Sequence, residues 1–402
     1  MKLFGSYLFI SLFLISCNSS QSDSTDYLTA DIRNEINHMT TLKLSDEIES
    51  VFYVPLEVTA DNESLIDGVY DFSVTNKYIY VLPIKEPRIV LFDRQGHYIK
   101  TLISEGQGPG EFSGFLSCIQ ADEKDDRLYL FSGDRRWEYT LNGKFIRQVN
   151  SDYQVFFERK IGQDRFAAIA FPYSSFQNGC FGLGVFSGKG DTIITKNNFF
   201  SPLLPHEKSG FTVNIAATYS KHNKSLLFKT GSNDTIFRIS EDKIQPACVL
   251  NLKNSDKEII KALDITDFSD LHGERREDKD IFISDMFETP NRYYFRFRYS
   301  QGHCIASVDK KTGKTYVEKC EQPATLKELA GTTLLHGMLG TKSYQNFPIW
   351  GRMEETELVQ VITPYELNFY NDNCSISIPE ELNINEEDGN PIFIFYKIKA
   401  NC

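Results

Sequence analysis

An all-β fold made of one repeated four-stranded unit is what this 402-residue sequence predicts, on three observations. Residues 69–102 and 116–149 share one order of strands and turns at a spacing of roughly 45 residues, the period of propeller blades. Weaker copies fill most of the remaining chain. Aromatic residues make up 13% of the sequence, and their flat side chains suit half-buried pleated surfaces. Six copies closing into a ring give the expected fold, a six-bladed β-propeller with four-stranded antiparallel blades and short helical insertions.

At the N-terminus, Lys2 precedes the apolar run Leu3–Ile15, which is too short to span a bilayer comfortably and reads as a signal peptide. The run ends in Leu14-Ile15-Ser16-Cys17, which resembles the lipobox of bacterial lipoproteins. That resemblance implies a diacylated Cys17 thiol, cleavage just before it and acylation of the new amine. Each buried CH₂ contributes about 0.8 kcal/mol, so several acyl chains anchor durably. Asn18–Asp26 is small and polar, as a tether should be. The expected organisation is a signal peptide over 1–16, a flexible tether over 17–45 and the propeller over 46–402.

The first unit reads as an alternating segment from Val69 to Thr75, then strands at 78–82, 87–92 and 97–102. The second repeats this order at 116–121, 127–131, 136–139 and 144–149. Gly96 and Gly143 fall at equivalent hairpin turns, where a residue tolerating positive φ is needed. Further units are expected over 166–195, 213–252 and 281–320. A last one combines 357–362 with 391–399. Two stretches break the rhythm: Ser255–Glu258 and Thr325–Glu328 are capping-box patterns that open short helices, and Gly331 can stop the second. The charged run 273–280 reads as a solvated loop.

Gly106-Gln-Gly-Pro-Gly-Glu-Phe112 resembles the loop linking successive blades in NHL-type six-bladed propellers. The chain also resembles a family of six-bladed β-propeller lipoproteins of Gram-negative bacteria. The match is carried by Tyr53-Val-Pro-Leu-Glu57, Asp234-Thr-Ile-Phe-Arg-Ile239 and the C-terminal Asn390–Lys399, and is strongest over 51–150. The resemblance implies the fold; it implies little about activity, because propellers host many unrelated functions.

The net charge of −12 and the lack of a basic stripe argue against nucleic acid as a partner. Beyond Cys17, the cysteines are scattered without ligand-like spacing, so no metal or cofactor is expected. Cys304 and Cys320 flank the turn at 310–313 and are candidates for a cross-strand disulfide, with two buried thiols as the alternative. No hydrolase, P-loop or metalloprotease motif is present. Of the seven histidines, only His336 falls in a stretch suited to a channel-lining strand, and a structural role is the simpler reading.

The register of the first two units sends Lys85, Arg88, Arg135, Arg136 and Trp137 toward one face, beside the blade-to-blade connection. Arginine forks and a flat indole suit anionic sugars or acidic peptides. The alternative is that the arginines are repeat residues bonding neighbouring loops. The expected function is a lipid-anchored module of the cell envelope, at the outer membrane, that binds or scaffolds a carbohydrate, peptide or partner protein. The alternative is a propeller hydrolase or lyase working at the central channel.

Overall fold

The computed structural model describes residues 27–40, 42, 47–151, 155–170, 181–197, 215–220, 224–230, 234–252, 281–299, 302–320, 352–354, 357–364 and 389–399. The expected Cys17 anchor, both capping-box helices, the charged run 273–280 and His336 lie outside those residues.

The described chain opens with β1 (Leu28–Ala30), a short helix α1 (Ile32–Glu35) with a 3₁₀ turn after it, and β2 (Ile48–Pro55). Blade one is β3 (Val69–Val74), β4 (Tyr78–Pro83), β5 (Arg88–Asp93) and β6 (Tyr98–Ser104). Blade two is β7 (Cys118–Asp122), β8 (Arg127–Ser132), β9 (Arg135–Tyr139) and β10 (Phe145–Asn150). Blade three comprises β11 (Val155–Gly162), β12 (Arg165–Ala170), β13 (Phe181–Ser187) and β14 (Thr192–Asn197). Blade four comprises β15 (Ile215–Ser220), β16 (Ser225–Thr230), β17 (Thr235–Ile239) and β18 (Ile244–Leu250). Blade five holds β19 (Phe282–Glu288), β20 (Arg292–Tyr299), β21 (Gly302–Asp309) and β22 (Thr315–Cys320). Blade six holds β23 (Arg352–Glu354), β24 (Glu357–Ile362), β25 (Ile392–Ile398) and, outermost, β2. The molecule is the six-bladed propeller the repeat predicts, and each blade is antiparallel throughout.

The ring closes where the chain ends meet. β2 pairs antiparallel with β25 from Ile48↔Ile398 to Pro55↔Ile392, so one blade is completed by both ends of the propeller. Closure removes the open edge that a first and a last blade would otherwise present.

Side chains on both faces of each blade are buried because every blade is sandwiched between two others. Tyr80, Leu82, Ile89 and Leu91 of blade one meet Ile119, Leu128, Leu130 and Trp137 of blade two in one cluster. Phe72, Val81 and Val90 pack against Phe393 and Phe395 of blade six in the next. Each such side chain contributes about 1.5–3 kcal/mol on burial. The hairpin turns at Gly96 and Gly143 have φ of +91° in both copies, and a Cβ on Gly96 would lie 2.2 Å from the Pro55 carbonyl oxygen. Glycine is required there by conformation and by space.

The innermost strands all run the same way. Ile119 and Ala121 lie level with Asp71 and Ser73, and Glu158 and Lys160 lie level with Cys118 and Gln120. The ring therefore has two unlike faces. Among the described residues, one carries the tight turns, such as 75–77, 94–97, 123–126, 240–243 and 310–314. The strand ends joined by the longer segments 198–214, 253–280, 321–351 and 363–391 all lie on the other, together with every blade-to-blade connection. We call this the connection face.

Two expectations are corrected. The tether does not extend to residue 45: β1 pairs in parallel with β18 at the rim of blade four, and Ala30, Ile32 and Ile36 are buried in the core shared by blades four and five. Residues 27–42 then continue across blade five, where Thr40 N donates to the Val317 carbonyl and Leu42 N to Glu318. The disulfide register also differs from expectation. Cys304 is directly opposite Lys319, while Cys320 is opposite His303, and a one-residue offset exchanges the faces of a strand. Cys304 carries a buried thiol.

Candidate functional site

Inner strands of a propeller meet at the axis, where most of each axis-facing edge has no further strand to pair with; β15 and β23 touch there through one parallel bridge, Ser220↔Met353. Here side chains of one blade cap the backbone of the next. The Asp71 carboxylate accepts from Ile119 N at 2.7 Å and Ser73 Oγ from Ala121 N at 2.9 Å. One step on, Gln120 accepts from Lys160 N at 2.7 Å and donates to its carbonyl at 3.0 Å. Buried polar side chains in strands are thus satisfied by backbone groups that would otherwise be orphaned.

Asp71 also receives Arg159, which reaches from blade three to blade one: Nη2 donates to Oδ2 at 3.1 Å. Arg159 is only 1% exposed, and its guanidinium lies 4.2 Å from the centre of the Phe157 ring. Burial works against its charge, but the Asp71 carboxylate and Glu354 of blade six outweigh that and hold the guanidinium in its charged form. The Cys118 thiol, in contrast, is pushed up by burial.

At the connection-face end of this cluster sits Tyr70, the second residue of β3. Its hydroxyl is pushed up to about 12, by burial first and then by Cys118 and Asp71. Its ring meets Phe115 edge-on at 5.2 Å, and Phe115, at 69% exposure, is the most exposed large apolar side chain among the described residues. Phe115 follows Gly106–Phe112 in the connection from blade one to blade two. That loop is pinned on all sides. Glu111 accepts from Gly108 N at 2.7 Å, Tyr139 Oη donates to the Gly110 carbonyl at 2.9 Å, and Phe112 packs beneath against Trp137. An aromatic pair held rigidly at the mouth of the ring, above a buried ion pair, is the candidate site. It offers a flat apolar surface for stacking and no activated nucleophile.

The five residues expected to form a binding face do not come together at the surface. Trp137 is 1% exposed and Arg136 4%, both packed within the blades. The middle strand of a blade has neighbours on both sides, so β9 turns neither of its faces to solvent. Arg136 donates to Glu158 at 2.6 Å and to the Gly188 carbonyl at 2.6 Å, tying blade two to blade three. Arg88 donates to the Glu63 and Leu65 carbonyls at 2.8 and 2.7 Å. Arg135, half-buried over the Trp137 ring, donates to Ser113. Both arginines therefore fasten the connection that precedes their own blade. Lys85 alone is fully displayed, with its ammonium 3.8 Å from Asp67.

Tyr70, Phe115, Asp71 and Arg159 escaped the sequence reading. Phe115 carried a signal: an aromatic set among Ser113 and Gly114 in a connection has no strand to pack into. Asp71 carried none, since one charged residue inside an apolar strand looks the same whether it faces solvent or the axis, and Arg159 lies in the charged run Glu158–Lys160, which does not say which of the three reaches the axis.

A second ion cluster joins blades four and five. Arg238 grips Glu288 bidentately at 2.9 and 2.7 Å, and Lys310 adds a contact at 2.8 Å. Burial alone would raise the Glu288 carboxyl, but the Arg238 fork and Lys310 overcome it and hold the group at about 2. No helix among the described residues is long and apolar enough to cross a membrane.

No curated protein matches the chain. Among solved structures, a Bacteroides fragilis protein described as exported superposes with a TM-score of 0.63 at 16% identity, covering 93% of this chain and 99% of its own. A DUF4221-family protein of Bacteroides vulgatus superposes with a TM-score of 0.50 at 12% identity, covering 88% and 97%. At such identities the likeness concerns the fold. A family model described as a domain of unknown function, DUF4934, matches residues 28–397, and the chain belongs to that family.

Proposed function

We propose that this protein is an extracytoplasmic, lipid-anchored module that binds or scaffolds a glycan, a peptide or a partner protein on its connection face. The observation that carries the reading is the rigid Tyr70–Phe115 pair at the mouth of the ring, with Phe115 69% exposed. Large exposed aromatics set on a rigid scaffold are typical anchors for sugar rings and for apolar or proline side chains. The buried charges around the pair are already matched to one another, which suits a platform better than a reaction centre. The apolar run Leu3–Ile15, Cys17 and the Bacteroides fragilis neighbour described as exported support an envelope location, with the outer membrane the compartment proposed.

Phe115→Ala tests the site. The side chain is largely exposed, so the variant should melt within about 2 °C of the parent, a shift worth less than 1 kcal/mol. On glycan and peptide arrays it should lose at least tenfold in affinity for whatever the parent binds. Full retention of every hit would remove this face from the reading.

A further inference from the structure

The fold fixes where the chain leaves the propeller on its way to the N-terminus. β18 is the fourth strand of its blade and runs from the tight-turn face toward the connection face. β1 lies parallel to it, Leu28↔Cys248 to Ala30↔Leu250, so the chain enters β1 from the tight-turn side. A second contact says the same. A Cβ on Gly313, in a turn of the tight-turn face, would lie 3.8 Å from the Thr29 carbonyl oxygen. The entry point is therefore the rim of blades four and five, on the tight-turn side. Blade one, with the Phe115 connection beside it, is diametrically opposite in a six-bladed ring.

Segment 18–26 limits how far that rim can stand from an anchored Cys17. Whatever its conformation, it spans no more than about 30 Å when fully extended. We infer that the rim of blades four and five, tight-turn side first, is the membrane-proximal edge of the protein, and that the connection face at blades one and two points away from the bilayer. This rests on the proposed acylation of Cys17 and extends it. It also narrows the ligand class: a site on the distal side takes a water-borne glycan, peptide or protein and not a lipid of the anchoring leaflet.

Energy transfer from the protein to the membrane tests this. Full-length acylated protein, purified from membranes and checked by mass for its acyl chains, is reconstituted in phosphatidylcholine vesicles carrying an acceptor lipid. A fluorophore is placed by amber suppression at one exposed position at a time: Asp242, Lys311, Gln95 or Lys85. Transfer should be strongest from Asp242 and Lys311, in the tight turns of blades four and five. It should be weaker from Gln95, in a tight turn of blade one, and weakest from Lys85 on its connection side. Acylated protein in which Lys85 transfers as strongly as Lys311 would overturn the orientation while leaving the anchor intact. Protein without acyl mass would overturn the anchor, and the orientation with it.

Discussion

Removing the Arg136 guanidinium would leave Glu158, itself buried, without its counter-charge at 2.6 Å, and would free the Gly188 carbonyl as well. Breaking a buried pair from one side costs about 3–5 kcal/mol, because the remaining charge has no water to turn to. Arg136→Ala should therefore lower the urea midpoint sharply, whereas Lys85→Ala, on a side chain 80% exposed, should change stability by less than about 0.5 kcal/mol. Equal midpoints would mean that Arg136 is dispensable to packing. Glu288 gives a pH signature of the same physics. Its folded value of about 2 lies below its ordinary value of 4.5, so its stabilisation is present above pH 4.5 and is lost as pH falls toward 2. Melting followed from pH 5 to pH 2 should show a steeper fall for the parent than for Glu288→Gln, whose side chain does not titrate. Parallel curves would show that the Arg238 fork leaves the carboxyl unshifted.

At the scale of elements, what could be read in advance followed from what repeats. The turns at Gly96 and Gly143 were legible because a positive φ and a close Pro55 carbonyl admit only glycine at the first, and the second copies its φ. The closing blade was legible in part: 357–362 and 391–399 read as one unit, while its outermost strand, β2, comes from the other end of the propeller and pairs with β25. Misreadings came where period-2 alternation carries no direction. In β9, Arg136, Trp137, Glu138 and Tyr139 are all buried, since the strand is sandwiched between blades, so a charged residue could not be placed inside or outside by pattern alone. β1 was missed for a different reason. Three residues are too few for any periodicity, and its stability comes from Ala30, Ile32 and Ile36 entering a core built by blades four and five, over 200 residues away in sequence. The candidate site was the least legible part, because Tyr70, Phe115, Asp71 and Arg159 become neighbours only when three blades curve around one axis.

For the whole molecule, closure and the N-terminal crossing are separable, and truncation can weigh one against the other. A chain beginning at Glu47 loses β1, α1 and the contacts across blade five but keeps β2 paired with β25 through its whole length. The loss uncovers part of the core between blades four and five, including the pocket walls that Ala30, Ile32 and Ile36 occupied. Three apolar side chains of this size correspond to several kcal/mol of lost burial, at about 25 cal/mol per Å². That variant should melt lower yet still in one transition, because all six blades remain joined. A chain beginning at Glu57 loses β2 as well. β25 then becomes an edge strand, IFIFYKI, with five successive buried residues and one face of its hydrogen-bonding groups open. An exposed apolar edge of this kind recruits another chain. Calorimetry and size-exclusion chromatography on the two variants should give a monomer with a single lowered transition for the first. The second should show self-association and no cooperative melt. If both melt alike as monomers, the β2–β25 pairing contributes little, and the ring is held by the packing of its blades alone.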